Sequence, residues 1–253
     1  MVDERLGYRL VPEFTPEFEE PAQTLAGQAH AAIRKRILTA DLAPGSLINE
    51  RALMEDMDFG RTPVREALLR LASEKLVIFR ANQAIQVAPI GFEEVRELYE
   101  VRLHAERLSW RLWHRRRTDA DVEALSRTFE AAERMIAENR AAEIVNLDFD
   151  FHAHAWRQAD NRYLAHHLYN LGGLSYRLWY LTTERTPERM RSIVRLHDPI
   201  IAAFKGEDSN ALDRAVADHI IEAFEFVMER LKGHGLNAAR NLPIRELLDD
   251  AAR

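Results

Sequence analysis

One octapeptide constrains this chain more than any other segment: Arg61-Thr62-Pro63-Val64-Arg65-Glu66-Ala67-Leu68. Val64, Ala67, Leu68 and Leu71 recur at i, i+3, i+4 and i+7, the period of a helix that buries one face. Thr62 can cap that helix, and Pro63 suits its first position, where a missing N–H costs nothing. Arg61 and Arg65, four apart, then share the opposite face. A short helix whose first residues present arginines is what a helix-turn-helix protein places in the DNA major groove.

The flanking sequence fits such a domain. Gln28 to Leu38 carries Ala29, Ile33 and Ile37 on one stripe, and Asp41-Leu42-Ala43-Pro44-Gly45 ends it. A second short helix is expected from about Asn49 to Met57, and Asp58-Phe59-Gly60 turns into the arginine helix. Leu76 to Phe79 and Ala84 to Val87 then read as two strands joined at Arg80 to Gln83. Three helices and a hairpin make a winged helix-turn-helix over residues 24–90. That segment carries nine Lys and Arg against seven Asp and Glu, in a chain whose overall charge is -6. DNA affinity would therefore rest on a local patch, doubled in a homodimer, and would depend on salt.

Residues 1–23 hold Pro12, Pro16 and Pro21 among several glutamates, and read as an extended or disordered acidic arm. Past Pro89-Ile90-Gly91 the pattern turns wholly helical, with six helices expected at about 92–117, 119–140, 143–158, 161–182, 187–205 and 209–232. The fold class is thus mainly α: a winged helix-turn-helix followed by a six-helix antiparallel bundle over 91–232. A tail, 233–253, carries Ile244, Leu247 and Leu248 on one face. The chain has no cysteine, which excludes disulfides and thiolate metal sites. It begins without a secretory pattern and holds no apolar run of membrane length, so a cytoplasmic protein with no membrane partner is expected.

A second constellation lies in the helical region. Asp148 and His152, four apart, share one face of the third bundle helix, and His197 and His219 are expected mid-helix on the last two helices, which a turn near Gly206 folds side by side. One carboxylate and three imidazoles suit a divalent ion such as Zn²⁺ or Ni²⁺, with coordination positions left open. The same spacing is also compatible with hydrogen-bonded or surface histidines and a capping aspartate.

Taken together, Pro44-Gly45, Asn49-Glu50-Arg51, the octapeptide and Leu71 resemble the GntR family of bacterial transcription regulators in order and spacing. The resemblance implies operator contacts from Arg51, Arg61, Thr62 and Arg65, and from Asn82 at the wing tip. Two positions depart from the family pattern: Lys75 and Asn82 stand where glycine is usual. The helical segment resembles the FCD effector domain of FadR-type members, six helices pointing to the VanR-like branch. Asp148, His152, His197 and His219 match that domain's metal-binding subset, with Asn161 nine residues after His152. Arg102 matches an arginine facing the effector cavity, which implies a small carboxylate effector, a guanidinium being shaped to hold one; the alternative is a surface salt bridge with Glu106, four residues on. The function implied is a homodimeric, ligand-responsive repressor on a palindromic double-stranded operator. The alternative is a metal-dependent enzyme with an accessory DNA-binding-like domain; Asp150 is its nearest candidate base, and i+2 puts it on another helix face.

Overall fold

A computed structural model of the protein describes residues 24–81 and 84–233. The acidic arm, Asn82 and the tail with Ile244, Leu247 and Leu248 lie outside the described residues. These divide into two compact units, one of residues 24–90 with Tyr176–Leu181, the other of Gly91–Ser175 and the residues from Thr182 onward.

The first unit is built on α1 (Leu25–Leu38), α2 (Glu50–Met57) and α3 (Arg61–Ser73). α1 begins three residues before the expected start, because Thr24 accepts the Gly27 N–H at 3.1 Å and caps it there. Its Ala29, Ile33 and Ile37 are fully buried, as are Val64, Leu68 and Leu71 of α3. Asn49 caps α2 by accepting from the N–H groups of Arg51 and Ala52. The cap of α3 differs from expectation. Gly60, in extended backbone, holds the N-cap position without a side-chain bond, and Arg61 and Thr62 already lie in the first turn. Pro63 permits this, since every N–H of the first turn is free of helical partners and its absence costs nothing at the third position either.

At the other end, α3 closes with the Lys75 N–H on Ala72 O at 3.1 Å and the Leu76 N–H on Leu71 O at 2.9 Å, the paired bonds of a Schellman motif. Lys75 sits at φ 63°, the left-handed conformation that the motif reserves for glycine. That conformation costs a residue with a Cβ about 1–2 kcal/mol. Lys75→Gly is therefore expected to raise stability by about 1 kcal/mol after glycine's greater unfolded-state freedom is set against it. Urea unfolding midpoints of the two proteins test this, and an unchanged or lower midpoint would show that the motif carries no strain.

The wing holds three strands rather than two. β1 (Leu47–Ile48), β2 (Val77–Phe79) and β3 (Ile85–Val87) form an antiparallel sheet in the order β1-β3-β2, with Ile48 opposite Ile85 and Phe79 opposite Ile85 on the other side. Gly45, at φ 77°, turns the chain into β1 and donates to Val87 O at 3.0 Å. Two residues show no alternation, so β1 was invisible to a pattern of period two.

The second unit contains α4 (Phe92–His114), α5 (Asp119–Arg127), α6 (Ala132–Ala137), α7 (Ala141–Gln158), α8 (Arg162–Thr182), α9 (Pro187–Arg195), α10 (Asp198–Lys205) and α11 (Ser209–Gly233). All six expected helical stretches are present, and two of them are interrupted. In 119–140, the Ser126 hydroxyl donates to Val122 O at 2.6 Å, a back-bond that bends helices, and α5 ends just after it. In 187–205 the cause is Pro199, which has no N–H and whose ring clashes with the carbonyl four residues earlier. α4 packs along α11 and α7, and Trp110, Trp113, Phe151 and Phe204 fill the core, with Trp113 and Phe204 ring centroids 4.3 Å apart.

Candidate metal centre and DNA-reading helix

Three histidines converge in the second unit. His152 and His219 face each other with Nε2 atoms 3.0 Å apart, and the available ring nitrogens of His152, His197 and His219 all lie within 4.8 Å of one another. Asp148 touches this group through His197, its Oδ1 lying 3.2 Å from His197 Nε2. His152, His197 and His219 are all buried, His197 completely.

The break at Pro199 prepares two of these rings. His197 is not mid-helix; it is the N-cap residue of α10, in the interruption. Its Nδ1 donates to Ile193 O at 3.0 Å, and His219 Nδ1, reaching from α11, donates to Leu196 O at 3.2 Å. A carbonyl only accepts, so both Nδ1 atoms carry the proton and both Nε2 atoms present lone pairs. His152 Nδ1 lies 3.3 Å from Glu106 Oε1, close enough for an ion pair but not aligned as a good hydrogen bond. Glu106 is completely buried, and although burial alone would raise its pKa, His152, Arg102 and Trp156 hold it below the ordinary carboxylate value. Against that ionised carboxylate His152 also keeps its proton on Nδ1.

This proton count is a test of whether the residues fit a metal. Two Nε2 lone pairs meet at 3.0 Å, and a third faces the Asp148 carboxylate at 3.2 Å, so both contacts are repulsive with nothing between them. One proton shared by His152 and His219 relieves the first and leaves the second. A divalent cation relieves both, and three neutral imidazoles with a carboxylate are the donor set of a borderline ion. The electrostatics agree: burial, then the neighbouring His197 and His152, depress the His219 pKa well below its usual value and keep it neutral. For Asp148, burial would raise the pKa, but its interactions with His197, and then with His152 and His219, outweigh that and hold it well below the usual range.

Arg102 and Glu106 are also placed by α4, one turn apart and both buried. Arg102 Nε and Nη2 donate to Glu106 Oε1 at 3.2 Å each, and Nη1 donates to Ser175 Oγ at 2.5 Å, which in turn donates to Tyr99 Oη at 3.0 Å. A guanidinium has five N–H groups; three are used here, leaving one on Nη1 and one on Nη2. Trp156 Nε1 donates to the other Glu106 oxygen at 2.9 Å. Asn161 has a structural task, its side chain accepting the Leu164 N–H at 3.1 Å at the start of α8. Asp150 is pushed up to about 7 by burial, and the charge acting on it is Arg157's. Two residues from both Asp148 and His152, it points to another side of α7 from the histidine cluster.

Glu106 is the site residue that spacing did not assign. It was visible as an i+4 partner for Arg102, but its approach to His152 crosses from α4 to α7, and no local pattern reports that contact.

In the first unit, the arginine-bearing face is open. Arg61, Thr62 and Arg65 are exposed at the start of α3, and Arg51 lies exposed on α2. Arg65 Nε is 3.9 Å from Glu50 Oε2, and Arg51 Nε donates to Glu55 at 2.8 Å. Exposed pairs of this kind contribute little and yield readily to a phosphate.

The comparisons with known proteins follow the same division. The family model described as bacterial regulatory proteins, gntR family, matches residues 25–87, and the FCD domain model matches residues 97–222. The HTH-type transcriptional repressor RspR of Escherichia coli (strain K12) is 25% identical over 210 residues, covering 83% of this chain and 91% of that protein. The Nta operon transcriptional regulator of Aminobacter aminovorans is 29% identical over 191 residues, 75% of this chain and 88% of that one. Among solved structures, E. coli McbR/YncC superposes with a TM-score of 0.71 at 21% identity, covering 82% of this chain and 99% of that one, a likeness of fold. No helix among the described residues is long and apolar enough to cross a membrane.

Proposed function

The chain belongs to the gntR family of bacterial transcription regulators, with an FCD domain as its second part, and on that premise we propose that it is a cytoplasmic repressor that answers to a small organic acid. It binds a palindromic operator as a homodimer, each copy placing the N-terminal end of α3 in a major groove. Arg51, Arg61, Thr62 and Arg65 make the contacts, and the family resemblance adds Asn82, which lies outside the described residues. In the helical domain His152, His197, His219 and Asp148 hold a divalent ion, Zn²⁺ or Ni²⁺ suiting the donors best. When bound, the ion supplies a Lewis-acidic centre to which a ligand oxygen can attach.

The observation that carries the sensing role is the Arg102 fork. One Nη1 and one Nη2 hydrogen are left as an edge uncommitted among the described residues, and the other three N–H groups are fixed by Glu106 and Ser175. A bidentate carboxylate fits such an edge, and pre-organisation lowers the cost of ordering the side chain. Asn161, committed to its cap, is not needed for this contact. Ligand binding alters DNA affinity to the extent that it favours one arrangement of the protein over another.

Gel-shift titrations of DNA from upstream of the gene, with a panel of small carboxylates and a salt series, test the reading. Salt-sensitive binding that one carboxylate alters is expected. Arg102→Ala should weaken the effective carboxylate by about 10- to 100-fold, the loss of a charge-assisted pair. The variant's operator binding without effector checks that it folds. An unchanged response would place the carboxylate anchor elsewhere.

A further inference from the structure

We propose that Glu106 is a positioning residue whose single oxygen, Oε1, is divided between Arg102 and the metal ligand His152, so that an anion taken up by Arg102 tightens the hold of the histidines on their ion. The proposal rests on the metal and effector reading above and adds to it the connection between the two sites.

Three donors meet at Oε1: Arg102 Nε and Nη2 at 3.2 Å each and His152 Nδ1 at 3.3 Å. Oε2 is held separately by Trp156 at 2.9 Å, so the carboxylate cannot turn to offer each partner its own oxygen. Trp156, Glu106 and His152 are buried, and water cannot replace any of these partners. A carboxylate behind an imidazole fixes the ring and increases the donor strength of its other nitrogen. Here a guanidinium draws on the same lone pairs. The long 3.3 Å contact and its poor alignment are what such competition would produce.

An incoming carboxylate at the uncommitted edge of Arg102 neutralises part of the guanidinium charge. More of the negative charge on Glu106 Oε1 is then left to His152, which binds the ion more firmly. By linkage the ion raises affinity for the carboxylate by the same factor. The coupling needs no large movement, only a redistribution of charge at one oxygen.

The test compares Zn²⁺ affinity, measured by competition with a chromophoric chelator, in the full-length wild type, Glu106→Gln and Arg102→Met. Glu106→Gln should weaken Zn²⁺ by about 10- to 100-fold, the usual effect of losing such a partner. Arg102→Met should bind Zn²⁺ several-fold more tightly, because Oε1 then serves His152 alone. A purely structural role for the pair predicts weaker binding in both. Equal affinity in Glu106→Gln, or weaker binding in Arg102→Met, overturns the proposal while leaving the metal site itself standing. If Glu106→Gln does not fold, the sign of the Arg102→Met change decides by itself. No Zn²⁺ binding by the wild type would overturn the metal reading and this inference together.

Discussion

On the proposed metal reading, His197→Ala is expected to purify with far less metal than the wild type. A well-formed zinc site contributes roughly 10–16 kcal/mol, so one of four ligands accounts for about 2.5–4 kcal/mol, on the order of a hundredfold in Kd. His197 is the sharpest choice because its loss removes the group between Asp148 and the other two rings. Elemental analysis after dialysis measures the effect, and equal metal in variant and wild type would remove His197 from the site. Thermal unfolding gives a second readout. Metal in hundredfold excess over Kd stabilises a folded protein by about 2.7 kcal/mol, and His197→Ala should lose that shift at the same concentration. The shift on adding metal is the quantity to compare, not the melting temperature alone. The substitution also empties a space between Phe129 and Phe151, whose ring centroids lie 4.8 and 4.6 Å from His197, and so destabilises the metal-free protein on its own.

Which parts of this arrangement were legible beforehand follows from the range of the forces involved. Asp148 and His152 could be paired from spacing because a helix alone sets that geometry, and the apolar stripes of α1 and α3 obey the same rule. His197 does lie beside His152 and His219, but at the N-cap of α10 and not in the helix interior that spacing suggests. Pro199 could have been read as a break, and that break matters: it puts Ile193 O and Leu196 O where they orient His197 and His219. Glu106 was hidden for a different reason. Its link to His152 depends on how α4 packs on α7, and nothing within either segment encodes the register of the two helices. Lys75 was flagged only as a departure from a glycine pattern; the φ of 63° explains why glycine is favoured there. The cap of α3 was misplaced by two residues, since proline fits several first-turn positions and a threonine beside it looks like a cap without being one.

Arg65→Ala should cost the regulator most of its operator affinity. The side chain is 57% exposed in the first turns of α3, and its nearest acidic partner, Glu50, is 3.9 Å away, so little is lost when a base or phosphate takes its place. An arginine contacting a base edge contributes about 1–3 kcal/mol, and a symmetric dimer loses it in both half-sites. The total, about 2–6 kcal/mol, is at least thirtyfold in Kd. Arg51→Ala should behave differently. That side chain is 85% exposed on the preceding helix, bonded to Glu55, and is suited to a phosphate. Its loss should weaken all DNA sequences about equally and reduce the salt dependence, whereas Arg65→Ala should also narrow the gap between operator and unrelated DNA. The distinction matters because the described part of the first unit has only a small positive excess, with Arg34, Arg36, Arg51, Arg65 and Arg70 facing nearby carboxylates. With so little general attraction to the phosphate backbone, preference for one sequence must come from a few well-placed groups. Gel shifts on operator and scrambled DNA at several salt concentrations separate the cases, and operator affinity unchanged in Arg65→Ala would rule out α3 as the reading helix.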